Sequence, residues 1–420
     1  MSANVLSLGA LLVVIAVSMT SRINVGVLAI ALAAGVAMLA AGWTAAQFAA
    51  SFPAPLFLIL VGVTLLFGAA LKNGTLGAIA ARMVRLCGHR TALLPIAFFL
   101  LTFALAAIGP GAIAGTAIVA PLAMSAGVAA GVNPFLLALM VGVGANAGTL
   151  SPISLTGIIS LNLLEQGGLG GHEAAVFLSN FVAHMVTALA AYFLFGGWGL
   201  LKANRTTNAV DTATAVLPPL TRMHWLTIAV MAIWLTVVIA FEANPGLVAF
   251  PAAVFLILVG AADNNDAFGS IPWTVILMVS GVGLLISVLD KTGGMELFTS
   301  MLATFTTPTT ANGTMAFVAG LISSYSSTSG VVLPAFLPTV GGLVERLGGG
   351  NPLEIALSIN VGACLVDVSP LSTIGALCIA AVPAGAADTA VLFRKMLLWG
   401  FSMTIYGAIF CFLFIRFFAW

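Results

Sequence analysis

The sharpest chemistry in the sequence belongs to Asp367, within NPLEIALSINVGACLVDVSPLSTIG, Asn351 to Gly375. That stretch starts as an apolar helix after an Asn-Pro signal. About fifteen residues on, it is interrupted by small and polar residues and a Ser-Pro step; proline removes a backbone donor and disfavours helix just before it. A carboxylate at membrane depth costs about 2.5–3.5 kcal/mol on insertion scales, so it is expected to serve a function. The expected role is coupling to a cation or a proton; the alternative is a structural carboxylate capping the half-helix after Pro370. A second such stretch, NPFLLALMVGVGANAGTLSPISLTG, runs from Asn133 to Gly157, and at an offset of 218 the two agree at eleven of twenty-five positions. Thr149 stands where the other copy has Asp367, and Asn146 is placed to offer a carbonyl oxygen to a cation. These three form the expected coupling group. Ser151 and Ser369, at the matching Ser-Pro steps, are assigned to the substrate.

Two further interruptions carry small and hydroxyl residues. GPGAIAGT, Gly109 to Thr116, and SSYSSTS, Ser323 to Ser329, each divide an apolar stretch. Glycine lets a ligand approach the backbone, and hydroxyls can donate to a carboxylate. Gly111, Gly115 and Thr116 at the first tip, and Ser326, Ser327 and Thr328 at the second, are the substrate-binding candidates. Each interruption precedes a new helix start, whose free N–H groups and partial positive charge suit an anion. Close helix packing through small residues is the alternative for any one of these positions. His184 lies within an apolar span and is expected to be packed and hydrogen-bonded rather than a proton carrier. His89, His172 and His224 fall at loops or span ends.

The elements that must position these residues are membrane helices. Of 420 residues, 61% are hydrophobic and 6% charged, and mean hydropathy is +1.19, which soluble cores do not sustain along a chain. The first half is expected to hold spans at 4–20, 25–42 and 55–71, and an interfacial helix at Thr75 to Arg90. A re-entrant hairpin at 91–127, a broken helix at 133–160 and a span at 173–196 complete it. The arms of that hairpin, read as about ten to seventeen residues, are marginal against the roughly 20 needed to cross. A connector at 201–223 separates it from the second half: spans at 224–241, 246–261 and 273–290, a hairpin at 312–345, a broken helix at 351–380 and a span at 388–417. Residues 4–20 lack a basic n-region and are read as a retained span, not a signal peptide.

Each half makes an odd number of crossings, so the second starts from the opposite face. The fold class is therefore an all-α polytopic membrane protein of two inverted repeats, five spans each, with one re-entrant hairpin and one broken helix per repeat. Paired discontinuous helices of this kind point to a transport site at the midplane. Lys and Arg fall ten against three on the side reached after the first span. The positive-inside rule makes that side the cytoplasm and leaves both termini outside.

Several classes are excluded. The net charge of +1 and the absence of a basic run leave no case for nucleic acid. No HExxH, GxSxG or Walker loop is present, so no enzyme is expected. Cys87, Cys364, Cys378 and Cys411 show no metal-like spacing and read as apolar packing residues. No Lys or Arg falls in the middle of a predicted span, so an anion would be held by N–H groups, hydroxyls and a bound cation.

In this order of hairpins and broken helices, the chain resembles the divalent anion–sodium symporters of the ion transporter superfamily. SRINVGVLAIALAAGVAMLAAG, from Ser21, and GANAGTLSPISLTGI, from Gly144, look most like the MatC-type dicarboxylate carriers related to malonate uptake. The resemblance spans the chain. It implies a scaffold domain and a moving transport domain, an elevator mechanism and a homodimer in the inner (plasma) membrane. It also implies cation-coupled uptake of a small carboxylate such as malonate or succinate. No cofactor is expected, sodium being a candidate coupling ion; the expected partners are the carboxylate, the coupling cation and the lipid bilayer. The symporters carry Ser-Asn-Thr at both tips; here the tips correspond by position only, and Asp367 is a candidate to let protons replace a sodium. Within the superfamily, arsenite or inorganic-anion efflux and cation–proton antiport are the rival activities.

Overall fold

The computed structural model describes residues 2–21, 23–86, 90–109, 111–203, 220–241, 243–383 and 385–420. Cys87, His89, Pro110 of the first tip and 204–219 of the connector lie outside the described residues. Every regular element among those described is a helix. The first half comprises α1 (Ala3–Thr20), α2 (Val25–Gly35, prolonged as a π-turn to Ala40), α3 (Ala45–Ala49), α4 (Ala54–Lys72) and α5 (Thr75–Leu86). It continues with α6 (Leu94–Ile108), α7 (Gly111–Ala129), α8 (Pro134–Gly148), α9 (Leu155–Gln166) and α10 (Glu173–Leu194). After the short connector helix α11 (Gly197–Ala203) come α12 (Arg222–Ala240), α13 (Pro245–Leu258), α14 (Asn264–Gly269), α15 (Trp273–Lys291) and α16 (Gly294–Ala303). Then follow α17 (Ala311–Ser323), a composite α18 (Thr328–Leu347), α19 (Pro352–Leu365), α20 (Thr373–Ala380) and α21 (Thr389–Phe414). Eight helical segments among the described residues are long and apolar enough to cross a membrane.

Helix starts recur between the halves because the same residues supply them. The side chains of Asn24 and Asn244 accept from the N–H groups of Gly26 and Gly246; those of Asn133 and Asn351 accept from Phe135 and Leu353. Pro53 and Pro272, before α4 and α15, share one backbone conformation: φ −77° with ψ 63° and 64°. Each closes a three-residue turn, Ala54 N–H to Phe52 O and Trp273 N–H to Ile271 O, both at 2.8 Å.

The halves interlock through glycine. A Cβ on Gly26 would lie 2.1 Å from the Leu277 carbonyl oxygen, and one on Gly281 would lie 2.2 Å from that of Gly26. The same contact recurs with the halves exchanged: a Cβ on Gly62 would lie 2.3 Å from the Gly246 oxygen, and one on Gly246 would lie 2.2 Å from Ile59 Cα. Thus α2 crosses α15 as α13 crosses α4, at backbone-to-backbone distance. Small residues permit such a contact where lipid offers no hydrophobic drive between helices.

The hairpin arms differ from expectation. The first arm is helical over Thr91–Ile108 and the second over Gly111–Ala129, 18 and 19 residues, each long enough to cross by length and composition. The first tip therefore unwinds only around Gly109, at φ 146°, and Gly111, at φ 81°, while the following Ala-Ile-Ala-Gly-Thr is already helical. The second tip unwinds over more residues, between Ser323 and Thr328. The broken helices pause at 149–154 and 366–372.

Gly281→Val should lose the α2–α15 crossing, since overpacking costs about 1–3 kcal/mol or more when the obstacle is backbone. Gly9→Ala, with nothing within 4 Å of its added Cβ, is the control. Size-exclusion thermostability in detergent should show a large drop in midpoint for the first and none for the second.

Candidate functional site

The two helix breaks are built by one repeated device. Ser154 Oγ accepts from Gly157 N–H at 3.2 Å and lies 2.5 and 2.9 Å from the carbonyls of Thr149 and Ser151. Ser372 Oγ accepts from Gly375 N–H at 3.3 Å, donates toward the Asp367 carbonyl and lies 2.8 Å from that of Ser369. The glycines are required by closeness: a Cβ at Gly157 would sit 1.8 Å from Ser151 O, and one at Gly375 2.1 Å from Ser369 O. One serine thus caps the new half-helix and ties back the end of the old one. Exposed main chain could not persist in the bilayer without such local satisfaction.

Asp367 is free of capping duty, because Ser372 performs it. Its carboxylate instead accepts from Thr328 Oγ1 at 2.8 Å, and Thr328 is hydrogen-bonded to Ser323. The second break is thereby fastened to the second tip. Across the same space stands Asn146, only 1% exposed, with no partner for either Nδ2 or Oδ1. Its backbone carbonyl is taken by Asn180 Nδ2 at 2.8 Å. Leaving a buried polar group unpaired costs about 1–3 kcal/mol, so both amide atoms of Asn146 are open to a partner.

A cavity of about 600 Å3 joins these parts. Gly111, Ser326, Ser327 and Thr328 from the tips, and Asn146, Thr149 and Asp367 from the breaks, all line it. Four residues expected at the site do not. Gly115 packs on Leu105 and Ala106, and the buried Thr116 hydroxyl donates to Ala112 O at 2.8 Å, because both lie inside α7. Ser151 and Ser369 are buried in the breaks, where their carbonyls serve the capping device and Gly400 packs on the Ser369 side chain. Cys364, read as a packing residue, lines the cavity, whereas Cys378 and Cys411 are buried in the core. His184 is fully buried, with Nδ1 2.8 Å from Asn180 O, and supports the broken helices from behind.

The opposite wall comes from α4 and α15, which sequence reasoning left out of the site. Thr64, Phe67, Gly68 and Leu71 face Pro272 and Val275 across it. A second cavity of about 270 Å3 lies at the other ends of the same two helices. It is lined by Pro53 and Leu56 on α4's side, and by Gly283, Ile286, Ser287 and Asp290 on α15. These six are the repeat mates, 219 positions away, of the six on the larger cavity's wall. The pair α4–α15 therefore presents equivalent walls at its two ends. The doublet Thr64 and Gly68, one helical turn apart in an otherwise Leu- and Val-rich helix, is the signal that could have revealed this face.

Residues 1–149 match the family model for the N-terminus of the dicarboxylate carrier protein MatC. The match runs through the first tip and ends at the first break. Among curated proteins no sequence matches significantly. Two solved transporters share the fold. MtrF of Neisseria gonorrhoeae, described as illuminating a class of antimetabolite efflux pumps, aligns at TM-score 0.59 and 14% identity, over 90% of this chain and 83% of its own. The YdaH transporter of Alcanivorax borkumensis, described as having an unusual topology, aligns at TM-score 0.54 and 16% identity, over 88% of each. At these identities the likeness is one of fold. The chain is a multi-pass membrane protein that shares its fold with these two solved structures.

Asn146→Leu should raise the thermal midpoint of ligand-free protein, since it removes two unsatisfied buried atoms at similar volume. A calorimetric or fluorescence melt that falls instead would show that Asn146 is already paired.

Proposed function

We propose that this chain is a secondary active transporter that takes up a small dicarboxylate, of malonate or succinate size, together with sodium or protons. The observation that carries the reading is the meeting of both tips and both breaks in one cavity with a carboxylate, an unpartnered asparagine and, among its described lining residues, no Lys, Arg or His. An anion entering such a place needs positive charge brought with it. Asp367, Asn146 Oδ1 and Thr149 offer the oxygen ligands that a hard cation prefers, and Asp367 alone can take a proton. The hydroxyls of Ser326, Ser327 and Thr328 then face the anion. Cation and substrate each improve the other's binding by the same factor, as linkage requires. One elementary charge moving down 100 mV supplies about 2.3 kcal/mol, enough for roughly fifty-fold accumulation.

Movement follows from the two walls. In this reading the tips and breaks, with the helices α10 and α21 packed on them, form the transport domain of an elevator, α6–α10 and α17–α21. They rest against one end of the α4–α15 pair and, in the other state, against its repeat-related end. The remaining helices serve as scaffold and as the surface of a homodimer. Under the positive-inside reading the larger cavity faces the cytoplasm of a bacterial-type plasma membrane, with inverted repeats and both termini outside.

Counterflow of labelled malonate and succinate in proteoliposomes, with and without sodium or proton gradients, tests this. Both acids should exchange, and one gradient should drive accumulation. Asp367→Asn should lose at least tenfold of that accumulation while remaining monodisperse. Full accumulation by the variant would remove Asp367 from coupling. Arsenite transport without competition by dicarboxylates would make the chain an inorganic-anion carrier, and proton release on adding sodium alone would make it an antiporter.

A further inference from the structure

Resting on the coupling reading just given, α10 supplies a residue on which the site depends although it does not line the cavity. Where α8 stops, two carbonyls lose their helical partners. The Thr149 N–H turns back to Asn146 O at 3.2 Å, and the Ser151 N–H to Gly148 O at 3.1 Å. Asn180 Nδ2, on α10, lies 2.8 Å from Asn146 O and 3.4 Å from Ala147 O. Both neighbours are acceptors, so it is the amide nitrogen that faces them. Asn180 is fully buried, is not among the lining residues, and its Oδ1 has no partner. The donor is present although the other half of the amide goes unsatisfied, which is costly in a buried place.

The second break ends in the same way. The Asp367 N–H turns back to Cys364 O at 3.3 Å, and Cys364 stands 218 positions after Asn146. One turn along α10 from Asn180, the fully buried His184 faces the main chain of Cys364, and its Nδ1 lies 2.8 Å from Asn180 O. One helix thus meets both breaks at equivalent points. Its counterpart α21 does not repeat the pair. At the same offset it carries Leu398, which is exposed, and Ser402, whose Oγ donates to Trp399 O at 2.7 Å.

The two parts of Asn146 are held differently. Its carbonyl already has two donors, Thr149 N–H and Asn180 Nδ2, and so no lone pair left for an ion. Its side-chain amide has no partner at either atom. No hydrogen bond of its own sets where that amide stands in the cavity; its place follows from the main chain, which Asn180 ties to α10.

We propose that Asn180 is a positioning residue for the coupling cation. By engaging the carbonyls at the end of α8, it holds Asn146 Oδ1 where an ion shared with Asp367 and Thr149 reaches it, and keeps the Asn146 carbonyl out of the coordination shell.

The sodium dependence of labelled succinate counterflow in proteoliposomes tests this. In Asn180→Leu the half-saturating sodium concentration should rise at least tenfold, while the rate at saturating sodium stays within about threefold of the unmodified protein. Asn180→Ala removes the same donor without adding volume; it should behave alike, and it carries the test if the leucine variant does not fold. In an Asn146→Leu background, adding Asn180→Leu should change half-saturating sodium less than twofold, because the group it positions is gone. Unchanged half-saturating sodium in the single variants, or a further tenfold loss in the double variant, would overturn this inference and leave the carrier reading standing. Counterflow by the unmodified protein that depends on pH and not on sodium would do the same. An absence of counterflow by any acid would overturn both.

Discussion

Main chain that leaves helical geometry inside a bilayer must find hydrogen-bond partners within the protein, and this constraint organises the molecule. Four interruptions border one cavity. At the two breaks the requirement is met identically, by Ser154 and Ser372, each of which caps the next half-helix and tethers the carbonyls just before it. At the second tip, Ser327 accepts from Gly330 N–H and Thr328 reaches across to Asp367. Among the described buried residues that keep an unpaired polar atom, Asn146 is the one that lines the cavity, with both amide atoms unpaired.

The same economy appears in the scaffold. Gly26 with Gly281, and Gly246 with Gly62, lock the halves by one contact used twice. The lock recurs with the halves exchanged, and the two cavities are lined on α4 and α15 by residues 219 positions apart. The walls are equivalent in position but not in chemistry. Leu71 at the larger cavity corresponds to the exposed Asp290 at the smaller, so an anion would meet a different field at each end.

Much of this was legible in the residues. Asn-Pro starts, Ser-Pro steps and the eleven identities located the duplication, and the identities Ser154/Ser372 and Gly157/Gly375 prove to be one capping device. Asp367 stood out because a carboxylate in an apolar helix needs a reason. What the sequence could not settle was direction. Thr116 resembles a tip residue by position, but a helical threonine satisfies itself on the carbonyl four residues back, and Ala-Ile-Ala-Gly does not unwind merely because glycines flank it. Ser151 and Ser369 likewise matter through their carbonyls. The contribution of α4 and α15 was hidden for a different reason: Phe67, Val275 and Met278 are ordinary apolar residues, and only tertiary structure turns them toward the cavity.

The central claim is that substrate occupies the space where the tips and breaks converge. Its most direct measurement is protection of single cysteines from alkylation, placed at Ala114 on the first tip's arm and Ser329 on the second, in a background with the native cysteines replaced. The account predicts that the transported acid slows labelling at both positions together, with the same concentration dependence, while a cysteine at exposed Leu398 on α21 is unaffected. Labelling at Ala114 and Ser329 that ignores substrate at saturating concentration, in protein that still exchanges it, would contradict the account.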